Sequence, residues 1–334
     1  MNEQAVGIDV SKQKLDVCHT QGDRGKHKVF ENTQQGHQAL LRWLNRRLEG
    51  ERVPVCLEAT GAYSEVVATA LFEANWPVSV VNPARVKGFA QSEMSRNKTD
   101  EVDARLLARF AQRAELELWQ PPSPALRRLR LLVERLEALQ AMRQQEKNRL
   151  EALSAGTDGQ PVDAMVREHI DWLEEQIRRL ESEIDDHIDG HPELKEDAEL
   201  LISIPGLGRR SIAQLLAYLG DVRRFRSAKA LAAFVGVSPR QRRSGTSLNG
   251  RTVLARTGHT AARKALYMPG LVAVRHNPVN AALAARLRAR GLAPKAIVGA
   301  SMRKLVHLIY GVIQSGKPFQ ADIAMPDLAK EDGI

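Results

Sequence analysis

Short apolar runs separated by polar turns dominate the first hundred residues. Ala5–Val10 reads as a strand, the polar turn around Lys12–Lys14 leads into a second, Leu15–Thr20, and Lys28–Glu31 can form a third antiparallel strand. A helix is predicted over Gln34–Leu48, where Ala39, Leu40, Trp43, Leu44 and Leu48 share one face. Val53–Glu58 is the next strand, a helix from Ser64 to Asn75 follows, and Val78–Val81 is another strand. Residues 100 to about 112 open a further helix. The middle of the chain is helical. A heptad frame over Leu126–Leu153 puts Leu129, Leu136 and Leu150 at one seam position and Leu132, Leu139 and Leu153 at the other, interrupted once by Arg143 and Glu146. The polar break Ser154–Pro161 precedes a second run, Val166, Ile170, Leu173, Ile177, Leu180 and Ile184. Densely charged outer faces favour a protruding coiled coil over ordinary core helices. The last third is mainly helical, with an irregular stretch at Ser238–Asn249.

These patterns predict an α/β plus α chain: an α/β domain over 1–120, coiled-coil helices over 121–200, a basic, mostly helical domain over 201–322 and a tail over 323–334. Three antiparallel strands followed by alternating strands and helices is the order of RNase H-like folds, and also the opening order of actin-like ATPase domains. The missing Gly-rich phosphate loop disfavours the ATPase. No apolar run approaches the roughly 20 residues that span a bilayer, and the N-terminus lacks the form of a signal peptide. Cytoplasmic localisation without a membrane partner is therefore expected. Cys18 and Cys56 lie in apolar strands without metal-type spacing and read as reduced core residues, and the nine histidines show no ligand pattern.

Charge changes the picture once it is divided along the chain. Residues 1–120 hold 16 basic and 16 acidic side chains, and residues 121–201 hold 11 and 19. Residues 202–320 hold 21 basic side chains and a single acid, Asp221. A segment so one-sided points to a polyanion partner, and nucleic acid is the commonest one.

Four carboxylates stand out. Asp9 lies inside an apolar strand, where a carboxylate must be paired, protonated or bound to a cation. Glu58 ends another apolar strand. Asp100 and Asp103 project from one face of a helix's first turn. Together they could hold two Mg²⁺ or Mn²⁺ ions in a hard-oxygen environment suited to phosphoryl transfer. The plainer reading of Asp100 and Asp103 is helix capping, and from that pair alone it is the stronger one. In the basic region, Ser238–Arg251 places Ser244, Thr246 and Ser247 among Arg240, Arg242, Arg243 and Arg251. Guanidinium groups can stabilise charge on a phosphate under attack by a hydroxyl, although composition alone fits a loop that only touches the DNA backbone. Ile204-Pro-Gly-Leu-Gly208, followed by Arg209 and Arg210, resembles the hairpin of helix-hairpin-helix modules, whose backbone N–H groups receive phosphate.

Val6-Gly-Ile-Asp-Val-Ser-Lys-Gln-Lys-Leu-Asp-Val17, Leu57-Glu-Ala-Thr-Gly61, Val81-Asn-Pro-Ala-Arg85, Arg96-Asn-Lys-Thr-Asp-Glu-Val-Asp-Ala-Arg105, Ile204-Pro-Gly-Leu-Gly208, Ser244-Gly-Thr-Ser247 and Ala265-Leu-Tyr-Met-Pro269 follow one another in this order. In these motifs, from residue 5 to about 320, the chain is similar to transposases of insertion sequence family 110. The resemblance implies an RNase H-like N-terminal domain of the RuvC type with an acidic tetrad at Asp9, Glu58, Asp100 and Asp103. It implies a coiled coil that helps join subunits, and a C-terminal transposase domain whose nucleophile is Ser244. It further implies a guide non-coding RNA, DNA of element and target as partners, and a homo-oligomer from dimer to tetramer. The alternatives are a metal-dependent junction-resolving nuclease that needs the tetrad but not Ser244, and a non-catalytic DNA-binding protein.

Overall fold

The computed structural model describes residues 3–93, 99–154, 160–240, 243–244, 248–249, 253–255 and 257–321. They divide into two compact units, Met1–Pro121 and Pro122–Ile334.

The first unit contains β1 (Gln4–Val10), β2 (Lys14–Gln21), β3 (Arg24–Glu31), α1 (Gln34–Arg47), β4 (Val55–Glu58), α2 (Ala62–Glu73), β5 (Val78–Val81), α3 (Pro83–Ser92) and α4 (Asp100–Arg113). The strands form one sheet in the order β3-β2-β1-β4-β5; β1 to β3 are an antiparallel meander, and β4 and β5 run parallel to β1. A tight turn starts the meander, with Ser11 Oγ bonded to both the N–H and the carbonyl of Lys14. Alternation sends successive side chains to opposite faces. Val6, Ile8, Val10, Leu15, Val17, Val55 and Leu57 pack with Leu40, Leu44 and Leu71 of α1 and α2. Ala5, Cys56 and Val81 pack with Leu106, Leu107 and Phe110 of α4 on the other face. Both cysteines are buried free thiols, as expected. Helix α3 was not predicted. It carries one buried apolar residue, Val86, so it has no amphipathic signal. Its start is nevertheless written locally: Asn82 caps it by accepting from the Ala84 N–H at 2.8 Å, and Pro83 fills the first turn.

The second unit opens with α5 (Pro124–Ser154) and α6 (Gln160–Asp189). They run antiparallel against each other, tied by Arg128–Glu183 at 3.2 Å and Lys147–Glu174 at 2.9 Å. Leu129, Leu136 and Leu139 of the seam are buried with Leu173, Ile177 and Ile184, in the same cluster as the helices that follow. Where the heptad frame breaks, Glu146 is buried and held by Arg149 at 2.7 Å and His169 at 3.5 Å. Next come α7 (Pro192–Ile202), α8 (Arg209–Leu219) and α9 (Ala228–Val235). Within the stretch expected to be irregular, the described residues instead form four two-residue strands, β6 (Pro239–Arg240), β7 (Arg243–Ser244), β8 (Leu248–Asn249) and β9 (Val253–Leu254), in two separate pairs. The fold closes with α10 (Thr260–Ala265), α11 (Tyr267–His276), α12 (Pro278–Ala289) and α13 (Pro294–Ser315). Helix α13 corrects one expectation: it is long and apolar enough to cross a membrane. Its apolar residues Leu305, Val306 and Ile309 are fully buried in the core.

Candidate active site

Strands β1 and β4 pair in parallel with Ile8 opposite Leu57, so the next residues are Asp9, one short of the end of β1, and Glu58, the last of β4. By alternation both share the face of Ala5 and Cys56, against which α4 packs. Gly7 permits that packing at close range. A Cβ there would stand 2.1 Å from the Ala104 carbonyl oxygen and 2.3 Å from the Ala108 nitrogen. The first turn of α4 therefore starts near the carboxyl ends of the strands. Capping is done by Thr99, whose hydroxyl accepts from the Val102 N–H at 3.3 Å, and not by Asp100, which is the first helical residue. That frees the Asp100 carboxylate for other contacts, although both first-turn acids still suit the helix dipole.

Two residues outside the sequence-derived tetrad belong to this cluster. Lys14 Nζ lies 2.7 Å from Asp100 Oδ2 and 3.1 Å from Asp16 Oδ2. Asp16 is buried, stands directly opposite Asp9 across β1 and β2, and meets His27 Nε2 at 3.0 Å. The hydrogen bond from Lys14 lowers the pKa of Asp100 and raises that of Lys14. Asp9 is pushed from the ordinary 3.8 up to about 6, first by burial and then by the charges of Asp103, Asp100, Asp16 and Glu58. The charges acting on Asp9 thus include the other three tetrad carboxylates. Among the described residues, no group of three or more His, Cys, Asp or Glu side chains is arranged so that it could hold a metal ion. The donor chemistry nevertheless fits a hard divalent cation: every candidate ligand is a carboxylate, and Asp9 sits where a positive charge relieves crowding.

In the second unit, β6 pairs with β9 and β7 with β8, with Arg240 opposite Val253 and Ser244 opposite Leu248. The backbone of Ser244 is thus paired in a short antiparallel pair of its own. Arg240 is exposed. Arg242, Ser247 and Arg251 lie outside the described residues, as do the side chains of Arg243 and Ser244. The turn Ile204–Gly208 joins α7 to α8, with Gly206 at φ 106°, a conformation that favours glycine. Gly208 begins α8 without a side-chain cap, and Arg209 and Arg210 occupy its exposed first turn. Arg210 is paired with Glu181 of α6, whereas Arg209 forms no ion pair among the described residues.

A family model described as Transposase matches residues 6–155, and one described as Transposase IS116/IS110/IS902 family matches residues 198–285. The chain is 33% identical over 325 residues to the pilin gene-inverting protein of Moraxella lacunata, covering 97% of this chain and 99% of that one. It belongs to the IS110 family of transposases. Relatives named as transposases include a probable family 20 transposase of Pseudomonas aeruginosa, 27% identical over 278 residues, 73% of this chain and 77% of that one. The protein is a DNA transposase or recombinase, and DNA is its partner.

Sequence reasoning missed Lys14, Asp16 and His27 in the transposase. The signal was faint: Asp16 interrupts an apolar strand as Asp9 does, one turn away. The close approach at Gly7 gives a direct prediction. Gly7→Ala forces the α4 backbone off the sheet, because the blocking atoms belong to main chain. We expect a loss of about 2–3 kcal/mol in chemical denaturation of the first unit, at the upper end of overpacking costs. An unchanged denaturation midpoint would show that α4 does not rest on Gly7.

Proposed function

We propose that the transposase cuts and rejoins insertion-element and target DNA through a Ser244 nucleophile, assisted by a divalent-metal site at Asp9, Glu58, Asp100 and Asp103. The observation that carries this reading is the meeting of Asp9 and Glu58 near the ends of adjacent strands beneath the first turn of α4, in a chain of a transposase family. The strand order β3-β2-β1-β4-β5 supports an RNase H-like, RuvC-like assignment for this unit. When bound, Mg²⁺ or Mn²⁺ supplies Lewis-acid stabilisation of the phosphate oxygens. The hydroxyl oxygen of Ser244 attacks a backbone phosphorus, a serine–phosphate bond forms as the bond to the leaving sugar oxygen breaks, and the proton passes to that oxygen. Attack by a new strand's hydroxyl reverses the step and rejoins the DNA. Arg240, Arg242, Arg243 and Arg251 are suited to hold the phosphate, and Arg209 and Arg210 to hold the duplex backbone.

We further propose that an element-encoded RNA guides the choice of sites, and that the protein works as a homo-oligomer of two to four subunits joined through the α5–α6 coiled coil. The turn 204–208 is assigned as a helix-hairpin-helix contact, and the site of action as the bacterial cytoplasm at the nucleoid. Iron-directed cleavage tests the metal site. With Fe²⁺ in place of Mg²⁺, ascorbate and peroxide should cut the chain near residues 9, 58 and 100, and Asp9→Asn should lose these cuts. Random cutting, or cuts unchanged in Asp9→Asn, would remove the metal from this position.

A further inference from the structure

A cavity of about 460 Å³ opens in the second unit between α10, α11 and α13, with β9 along one side. This volume lies within the range of small-ligand sites. Its floor is apolar and buried, formed by Val298 and Met302, with Leu254 of β9 beside them. Its rim is cationic: Lys264 and Lys295 are both exposed. Arg263 also lines it, with its guanidinium oriented by the Val235 carbonyl at 3.1 Å and the Thr260 hydroxyl at 3.4 Å. Over this rim stands Tyr267, 48% exposed. Met268, Leu271 and Val272 of the same helix are exposed as well, so the ring belongs to an exposed apolar patch and is not a lone surface residue.

We propose that this cavity takes one unstacked nucleotide of a DNA strand, its base lying against Tyr267 over the apolar floor and its flanking phosphates meeting Lys264 and Lys295. An apolar peptide would satisfy the floor and leave the lysines unmatched; a free anion would satisfy the lysines and leave the ring and floor bare. A nucleotide matches all three, since every base has a face that stacks on aromatic rings and every link carries a negative charge. The base must leave the duplex to offer that face. DNA is the strand chosen here because the protein acts on DNA, and the region around the cavity, residues 202–320, holds 21 basic side chains against one acid. Leu254 pairs with Pro239, five residues before Ser244 in the chain, so the captured nucleotide sits beside one end of the segment that leads to Ser244. The site stands apart from the roles proposed for the serine and the carboxylates, and binding needs neither.

The test uses the full chain in chelating buffer, with a labelled oligothymidylate and a duplex of equal length. Tyr267→Ala should weaken single-strand binding by about thirtyfold, the middle of the range for loss of one stacked base, with duplex binding within about twofold of wild type. Tyr267→Phe should keep wild-type affinity, since the ring and not the hydroxyl is used. Lys295→Glu should weaken single-strand binding without any change at the ring. A 2-aminopurine placed within the oligonucleotide should be quenched by the wild type and not by Tyr267→Ala. Equal losses on single strand and duplex, or no loss on the single strand in either Tyr267→Ala or Lys295→Glu, would overturn the site. A Tyr267 effect found only with an oligouridylate would reassign it to RNA and overturn the choice of DNA.

Discussion

Asp9→Asn should abolish Mg²⁺-dependent recombination while leaving the protein folded and slightly more stable at neutral pH. The two effects have one cause. Asp9 is half-buried among four other carboxylates, and its pKa stands at about 6 against an ordinary 3.8. Between these values the folded chain holds more protons than the unfolded chain, so stability falls as pH rises from about 4 to about 6 and stays lowered above it. In a dry site the displacement would be worth about 3 kcal/mol. Solvent reaching this carboxyl reduces that to about 1 kcal/mol. Asparagine has nearly the same shape and no charge, so in chelating buffer at pH 7 the variant should gain about that much, and the gain should vanish near pH 4. The same missing charge removes a ligand that a divalent ion requires. Denaturation at both pH values, together with a recombination assay, checks the pair. A variant less stable at pH 7 would mean that Asp9 is favourably paired in the fold, and full activity would dismiss it as a ligand.

Ser244→Ala should abolish strand exchange by at least several orders of magnitude and leave DNA binding nearly intact. Removal of one hydroxyl oxygen from so polar a segment should cost about 0.5 kcal/mol or less. Arg209 and Arg240 are untouched. Loss of a nucleophile, in contrast, removes the covalent step altogether. Ser247→Ala is the matched control, from the same run of small hydroxyl residues, and should retain much of the activity. If Ser247→Ala is the inactive one and Ser244→Ala is not, the nucleophile has been assigned to the wrong serine.

The first unit was the most legible part of the sequence because its strands bury one or both faces, and burial writes apolar runs. The meander, the helix at residue 34 and the parallel strands at 55 and 78 all appear where the pattern placed them, give or take a few residues. Asp9 and Glu58 were legible for the same reason, as charges that apolar strands do not otherwise carry. Lys14 was not, because a lysine at a hairpin end looks like any solvated turn residue until the turn brings it 2.7 Å from an acid 86 positions away. The short strands around Ser244 were hidden differently. They are two residues long and composed of Pro, Arg, Ser, Leu, Asn and Val, so they show no alternation. The heptads of α5 revealed a helix but not its surroundings: a seam position reads the same whether it faces a partner helix alone or a larger core, and Leu129 and Leu136 share their cluster with the helices after residue 192.

Covalent capture of DNA tests the central claim most directly. Supercoiled DNA bearing the element's own ends, with the element's RNA and Mg²⁺, is incubated with wild type, Asp9→Asn or Ser244→Ala and resolved on a denaturing gel with and without protease. The wild type should give a slow, protease-sensitive band carrying labelled DNA, together with joined products, and both should be absent with Ser244→Ala. Joined products that persist in Ser244→Ala, or wild-type nicking by Mg²⁺ with no protein-linked DNA at all, would contradict a serine recombination mechanism and leave the carboxylates acting alone as a nuclease.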